Sequence, residues 1–174
     1  MKIRFATFGI VLFALAVSAS AQGIGDKMPP LNVTDWITGD RQQVGTWGDG
    51  KVYVLELWGT WCEPCKAMLP KLTKLQADYK DKGLVVIGYS WEEPDILRKF
   101  TNEFKKDIGY LIVGDTESRT IDALNENEAV EGFPYAFLIG RDGKVVWKGN
   151  SKKLPFAAEL YFAGKPVEID DGPF

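Results

Sequence analysis

Glu56-Leu57-Trp58-Gly59-Thr60-Trp61-Cys62-Glu63-Pro64-Cys65-Lys66 is the stretch on which the reading of this chain turns. It begins inside a near-continuous apolar run, residues 52–58, as expected for a strand buried on both faces. It ends in a segment with helical periodicity, from Cys62 to about Lys82. There Cys65, Met68, Leu69, Leu72, Leu75 and Tyr79 fall on one face. Gly83 is a natural helix stop, and residues 84–89 form the next apolar run. Strand, helix and strand in that order imply a parallel pair joined by a right-handed crossover. Both cysteines then sit where the first strand gives way to the helix.

The pattern continues outward on both sides. Residues 93–106 predict a second helix, with Pro94 in its first turn and Leu97, Phe100 and Phe104 on a common face. A short strand at 110–113 and a helix over 118–126 follow. Residues 135–139 and 144–148 read as a β-hairpin closed by Asp142-Gly143. Leu154, Ala157, Ala158 and Tyr161 mark a last helix. Toward the N-terminus, the apolar pieces at 31–33 and around Val44 suggest a hairpin. Gly23, Gly25 and Asp26 do not make a dinucleotide loop, because no strand precedes them and no third glycine follows. The sum is an α/β sandwich.

The chain has 174 residues, which suits one domain. Residues 1–21 read as a secretory signal: Lys2 and Arg4, an apolar stretch over 5–17, then Ala19-Ser20-Ala21 as a cleavage site. The expected domain covers 22–167, with an acidic tail over 168–174 and a periplasmic or otherwise extracytoplasmic location. An uncleaved anchor is the alternative, although the apolar stretch falls short of the about 20 residues a span needs. A net charge of −3 gives no basic footprint for nucleic acid. Two cysteines and no histidine exclude His-based zinc sites, His-containing triads and His haem ligands. No cofactor and no metal are expected, and the expected state is a monomer.

The setting of the cysteines matters chemically. At a helix start, unpaired backbone N–H groups and the helix dipole favour negative charge. Cys62 is expected at the exposed end, with its thiol more acidic than a free one of pKa about 8.5. Cys65, one turn on, is expected on the buried face. A closed zinc site needs four ligands, which two cysteines cannot supply. A purely structural disulfide would close a loop of only a few residues, where stabilisation by loop entropy is least. Redox exchange and these alternatives remain open on spacing alone. Glu56, in an apolar strand, should be buried, with its pKa pushed upward. If the strand is at an edge, the same side chain would be solvated.

The quoted segment resembles the active site of thioredoxins, and more closely that of the exported TlpA/ResA-like branch. Pro70, five residues after Cys65, is similar to the helix-kinking proline of thioredoxins. Gly132-Phe133-Pro134-Tyr135 resembles the cis-proline loop, Gly149 a family glycine, and 93–114 the branch's helix–strand insertion. The resemblance implies a thioredoxin-like three-layer sandwich with an N-terminal hairpin. It also implies a thiol–disulfide oxidoreductase with Cys62 as nucleophile, Cys65 as resolving thiol and Glu56 as its proton acceptor. Trp61, Pro64, Phe133 and Pro134 would meet the substrate, and Trp58 would join the apolar rim or the core. Protein disulfides are the implied substrates, a membrane-bound electron donor the implied partner, and cytochrome c maturation a role of the branch.

Two positions depart from the family. Met68 stands where many TlpA/ResA-like proteins carry a glutamate, which weakens the transfer of the cytochrome c role. Residues 86–89 lack the lysine that accompanies the buried acid in thioredoxins. Glu63 between the cysteines should oppose thiolate formation, and Pro64 removes a helix-start donor, so the couple is expected to lean reducing. An AhpC/TSA-type thiol peroxidase is the rival enzyme class. Its Pro-x-x-x-Thr-x-x-Cys pattern meets Leu55 and Gly59 here and fails. A non-catalytic binding module of the same fold is the other alternative.

Overall fold

The computed structural model describes residues 23–169 apart from 42, 43, 45 and 126–129. The expected signal segment and residues 170–174 of the expected tail lie outside the described residues. The elements run β1 (Asp35–Thr38), β2 (Val52–Leu57), α1 (Glu63–Lys66), α2 (Leu69–Tyr79) and β3 (Leu84–Ser90). They continue α3 (Pro94–Glu103), β4 (Leu111–Gly114), α4 (Arg119–Asn125), β5 (Tyr135–Ile139), β6 (Val145–Asn150) and α5 (Leu154–Phe162).

The six strands form one sheet in the order β1-β4-β3-β2-β5-β6. β2, β3 and β4 are mutually parallel, while β1, β5 and β6 add antiparallel neighbours. Strands paired on both sides and covered on both faces should be apolar throughout, and every residue of β2 and β3 is buried. One face carries Val54, Trp58, Val86 and Leu138 against α2, α3 and α5. The other carries Leu55, Ile87 and Phe137 against Ile121 and Leu124 of α4 and the N-terminal segment. This is the three-layer sandwich the sequence implied. Val167 and Ile169 pack against the first of these core layers, so the chain stays attached to the domain that far.

Two expectations need correcting. The helix expected from Cys62 to Lys82 is broken after Lys66, because Pro70 has no N–H to donate to the carbonyl one turn back. The N-terminal hairpin is absent among the described residues. β1 pairs instead with β4, 76 residues further on between Asp35 and its start at Leu111. Residues 31–33 lie on the second core face without forming a strand. Apolar character showed that this segment is covered, but not which strand edge would take it.

No helix among the described residues is long and apolar enough to cross a membrane.

Candidate active site

β2 and β3 are adjacent and parallel, so the segments leaving their C-terminal ends emerge side by side, the usual place for a site in such sheets. From β2 comes the turn carrying Gly59, Thr60, Trp61 and Cys62, closed by the Cys62 N–H donating to the Gly59 carbonyl at 3.1 Å. From β3 come Trp91 and Glu92.

Cys62 and Cys65 form a disulfide with Cα atoms 5.2 Å apart. Cys62 caps α1, and its Sγ accepts from the Cys65 N–H at 3.2 Å. α1 has only four residues and is separated from α2. Local N–H groups therefore favour charge on Cys62 more than any long helix dipole does. The sulfur is also less open than expected: Cys62 is 4% exposed and Cys65 1%. The neighbouring Trp61 is by contrast 58% exposed. Glu63, expected to oppose the thiolate, points to solvent and is held by Lys66 at 2.6 Å, which offsets its charge. Pro64 lies in the first turn of α1.

Glu56 lies in the middle of the sheet, 1% exposed, which rules out the edge-strand alternative. Burial pushes its carboxyl up to about 8, and the nearby Ser151 hydroxyl opposes this in part. Its neighbours in register are Gly88 on β3 and Ala136 on β5, flanked in turn by Ile112 and Gly149. The glycine at 88 is needed. A Cβ there would stand 2.7 Å from Ile112 Cδ1, 2.9 Å from Trp58 Nε1 and 3.2 Å from Tyr110 Cε2. No lysine takes the place opposite the acid. Tyr110 approaches instead, its hydroxyl buried and held well above its ordinary pKa by desolvation first and by the Glu56 charge second. Met68 is buried in the same core cluster as Cys65.

The Phe133–Pro134 bond is cis, as the resemblance implied. Phe133 packs edge-on against Trp61 at 5.9 Å and tilted against Trp91 at 5.3 Å, while Trp61 and Trp91 lie 6.4 Å apart. Three rings thus tie the cysteine turn, the end of β3 and the proline loop together. Trp58 is no part of this rim: it is buried and packs against Phe100 at 5.3 Å. Of the residues singled out in the sequence, the structure places Cys62, Cys65, Glu56, Trp61, Pro64, Phe133 and Pro134 in this region, together with Trp91, Glu92 and Tyr110, which sequence reasoning did not single out. A carboxylate just past the end of a buried parallel strand was a usable signal for Glu92. Tyr110 gave none, since its aromatic ring suits a core equally well.

A thioredoxin-like sandwich that opens a helix with Cys-x-x-Cys, beside a cis-proline, defines the thiol–disulfide oxidoreductases. Comparison with known proteins agrees: the chain belongs to the AhpC/TSA family, which it matches over residues 24–148. It is 32% identical over 139 residues to the thiol-disulfide oxidoreductase ResA of Bacillus thuringiensis subsp. konkukian, covering 79% of this chain and 76% of that one. It is 30% identical over 147 residues to ResA of Geobacillus kaustophilus, covering 83% and 80%. Among solved structures, a protein of Chlorobium tepidum described as a thiol:disulfide interchange protein DsbE superposes with a TM-score of 0.63. That match has 26% identity and covers 84% of this chain and 99% of that one.

Proposed function

We propose that this protein reduces disulfides of other proteins outside the cytoplasm, with Cys62 as attacking thiolate and Cys65 as resolving thiol. The observation that carries the reading is the Cys62–Cys65 pair, with a buried acid of pKa about 8 in the adjoining strand. In the reduced protein, the Cys62 thiolate attacks a substrate disulfide, and one substrate thiolate leaves. The Glu56 carboxylate takes the Cys65 proton, directly or through water; an acid titrating near neutrality is suited to that exchange. Cys65 then attacks Cys62 Sγ and expels the second substrate thiolate. Two electrons pass to the substrate, and Cys62–Cys65 is left oxidised. A membrane-bound electron donor returns the pair to the dithiol.

Trp61, Pro64, Phe133 and Pro134 receive the substrate, whose extended backbone pairs with that of Phe133 as a short added strand. Residues 1–21 direct export. Cytochrome c maturation is the narrower role implied by the branch, and Met68 in place of its acid argues against carrying that role over whole. The AhpC/TSA family shares its name with the peroxidase alternative, but Leu55 and Gly59 lack the peroxidatic pattern, and the ResA names favour exchange.

The test is mixed-disulfide trapping. Cys65→Ser should accumulate adducts with extracytoplasmic proteins, while Cys62→Ser should accumulate none. Equal trapping by the two variants would overturn the assignment of nucleophile, and rapid turnover of hydrogen peroxide would favour the peroxidase.

A further inference from the structure

Glu92 is absent from the scheme above, yet it makes the closest polar contacts to the turn that presents Cys62. Its carboxylate accepts from the Thr60 backbone N–H and from the Thr60 hydroxyl, each at 2.7 Å, one bond to each oxygen. The oxygen that takes the N–H also accepts from the Ser90 hydroxyl at 3.1 Å. Ser90 Oγ in turn receives the Glu92 N–H at 3.3 Å. Thr60 is the second residue of the Gly59–Cys62 turn. Glu92 therefore clamps this turn to the end of β3. Trp91, one residue earlier, lies against both Phe133 and Trp61.

We propose that Glu92 is a positioning residue: by gripping Thr60 it fixes the Cys62 turn relative to the Trp91–Phe133 floor on which a protein substrate is aligned. The inference rests on the oxidoreductase reading. A carboxylate is the fitting group, because it is acceptor-only and can serve an N–H and an O–H at once. An amide offers one acceptor oxygen and so keeps at most one arm of the clamp unchanged. Hydrogen bonds to an ionised acceptor are also the stronger kind. The clamp acts on alignment rather than on the sulfur itself. It should matter for a bulky partner that must meet turn and floor together, and little for a small disulfide that meets only the sulfur.

The experiment compares reduction of insulin with reduction of glutathione disulfide by the full-length reduced protein and its Glu92→Gln, Thr60→Val and double variants. Glu93→Gln serves as a charge control one residue away. Glu92→Gln should lower kcat/KM for insulin about tenfold, a loss of roughly 1.4 kcal/mol, and leave glutathione disulfide within about twofold. Thr60→Val, which removes only the hydroxyl arm, should lose less. The double variant should be no worse than Glu92→Gln alone, since both changes break one interaction. Glu93→Gln should match wild type. Equal losses on both substrates, additive losses in the double variant, or no loss on insulin would each overturn the clamp. Wild-type protein inactive on both disulfides would overturn the oxidoreductase reading itself. Should Glu92→Gln not fold, the split between substrates in Thr60→Val decides.

Discussion

Replacing Glu56 by glutamine should stabilise the oxidised protein, and the gain should grow with pH. In the fold the Glu56 carboxyl holds its proton up to about 8, against an ordinary value of 4.5. A raised folded pKa means that the native state binds the proton more tightly than the unfolded chain. Its contribution to stability is fully present below pH 4.5 and is lost as pH rises through about 8. Each pH unit in that window is worth about 1.4 kcal/mol. The native protein therefore loses roughly 5 kcal/mol between mild acid and pH 9, less whatever relaxation around the carboxylate recovers. Glutamine keeps the size of the protonated acid and never ionises. Its advantage should be near zero at pH 4 and several kcal/mol at pH 9. The oxidised state is the one to use, because Cys62 and Cys65 are then joined and do not titrate. Urea unfolding of both proteins at several pH values between 4 and 9 measures the difference. A constant offset across that range would show that the fold does not raise the Glu56 pKa, and the ready proton exchange with Cys65 would lose its physical basis.

Two further outcomes are expected. Gly88→Ala should cost about 1–3 kcal/mol in urea unfolding, the usual penalty of overpacking, because its Cβ meets Ile112, Trp58 and Tyr110 at 3.2 Å or less; an unchanged midpoint would mean that this part of the core is looser than the contacts indicate. Trp61→Ala should cost about 1 kcal/mol through its ring contacts with Trp91 and Phe133, while insulin reduction falls about fivefold through loss of an aromatic anchor. Full activity in that variant would remove Trp61 from the substrate surface.

What could be read from the sequence was whatever a local pattern encodes. The apolar runs at 52–58 and 84–89 marked buried central strands, and the strand at 135–139 stands where the Asp142-Gly143 turn puts it. The cysteine pair and Glu56 were legible because each breaks an apolar context in a way that demands a chemical reason. The pairing of β1 with β4 was not legible, since pairing across such a sequence distance leaves no trace in either strand. Nor was the burial of Cys62, which depends on how the surrounding segments pack. The grip of Glu92 on Thr60 joins residues 32 apart in sequence and exists only because two parallel strands end side by side.

The missing side chain at position 88 decides what can stand beside the buried acid. The indole of Trp58 and the ring of Tyr110 already fill the space that a side chain there would need. Bringing a lysine opposite the acid would therefore mean changing Gly88 and also clearing Ile112, Trp58 and Tyr110. Any one of those changes made first would weaken the interior before the new ion pair could form. With this packing, the place opposite Glu56 has no room for a cationic side chain.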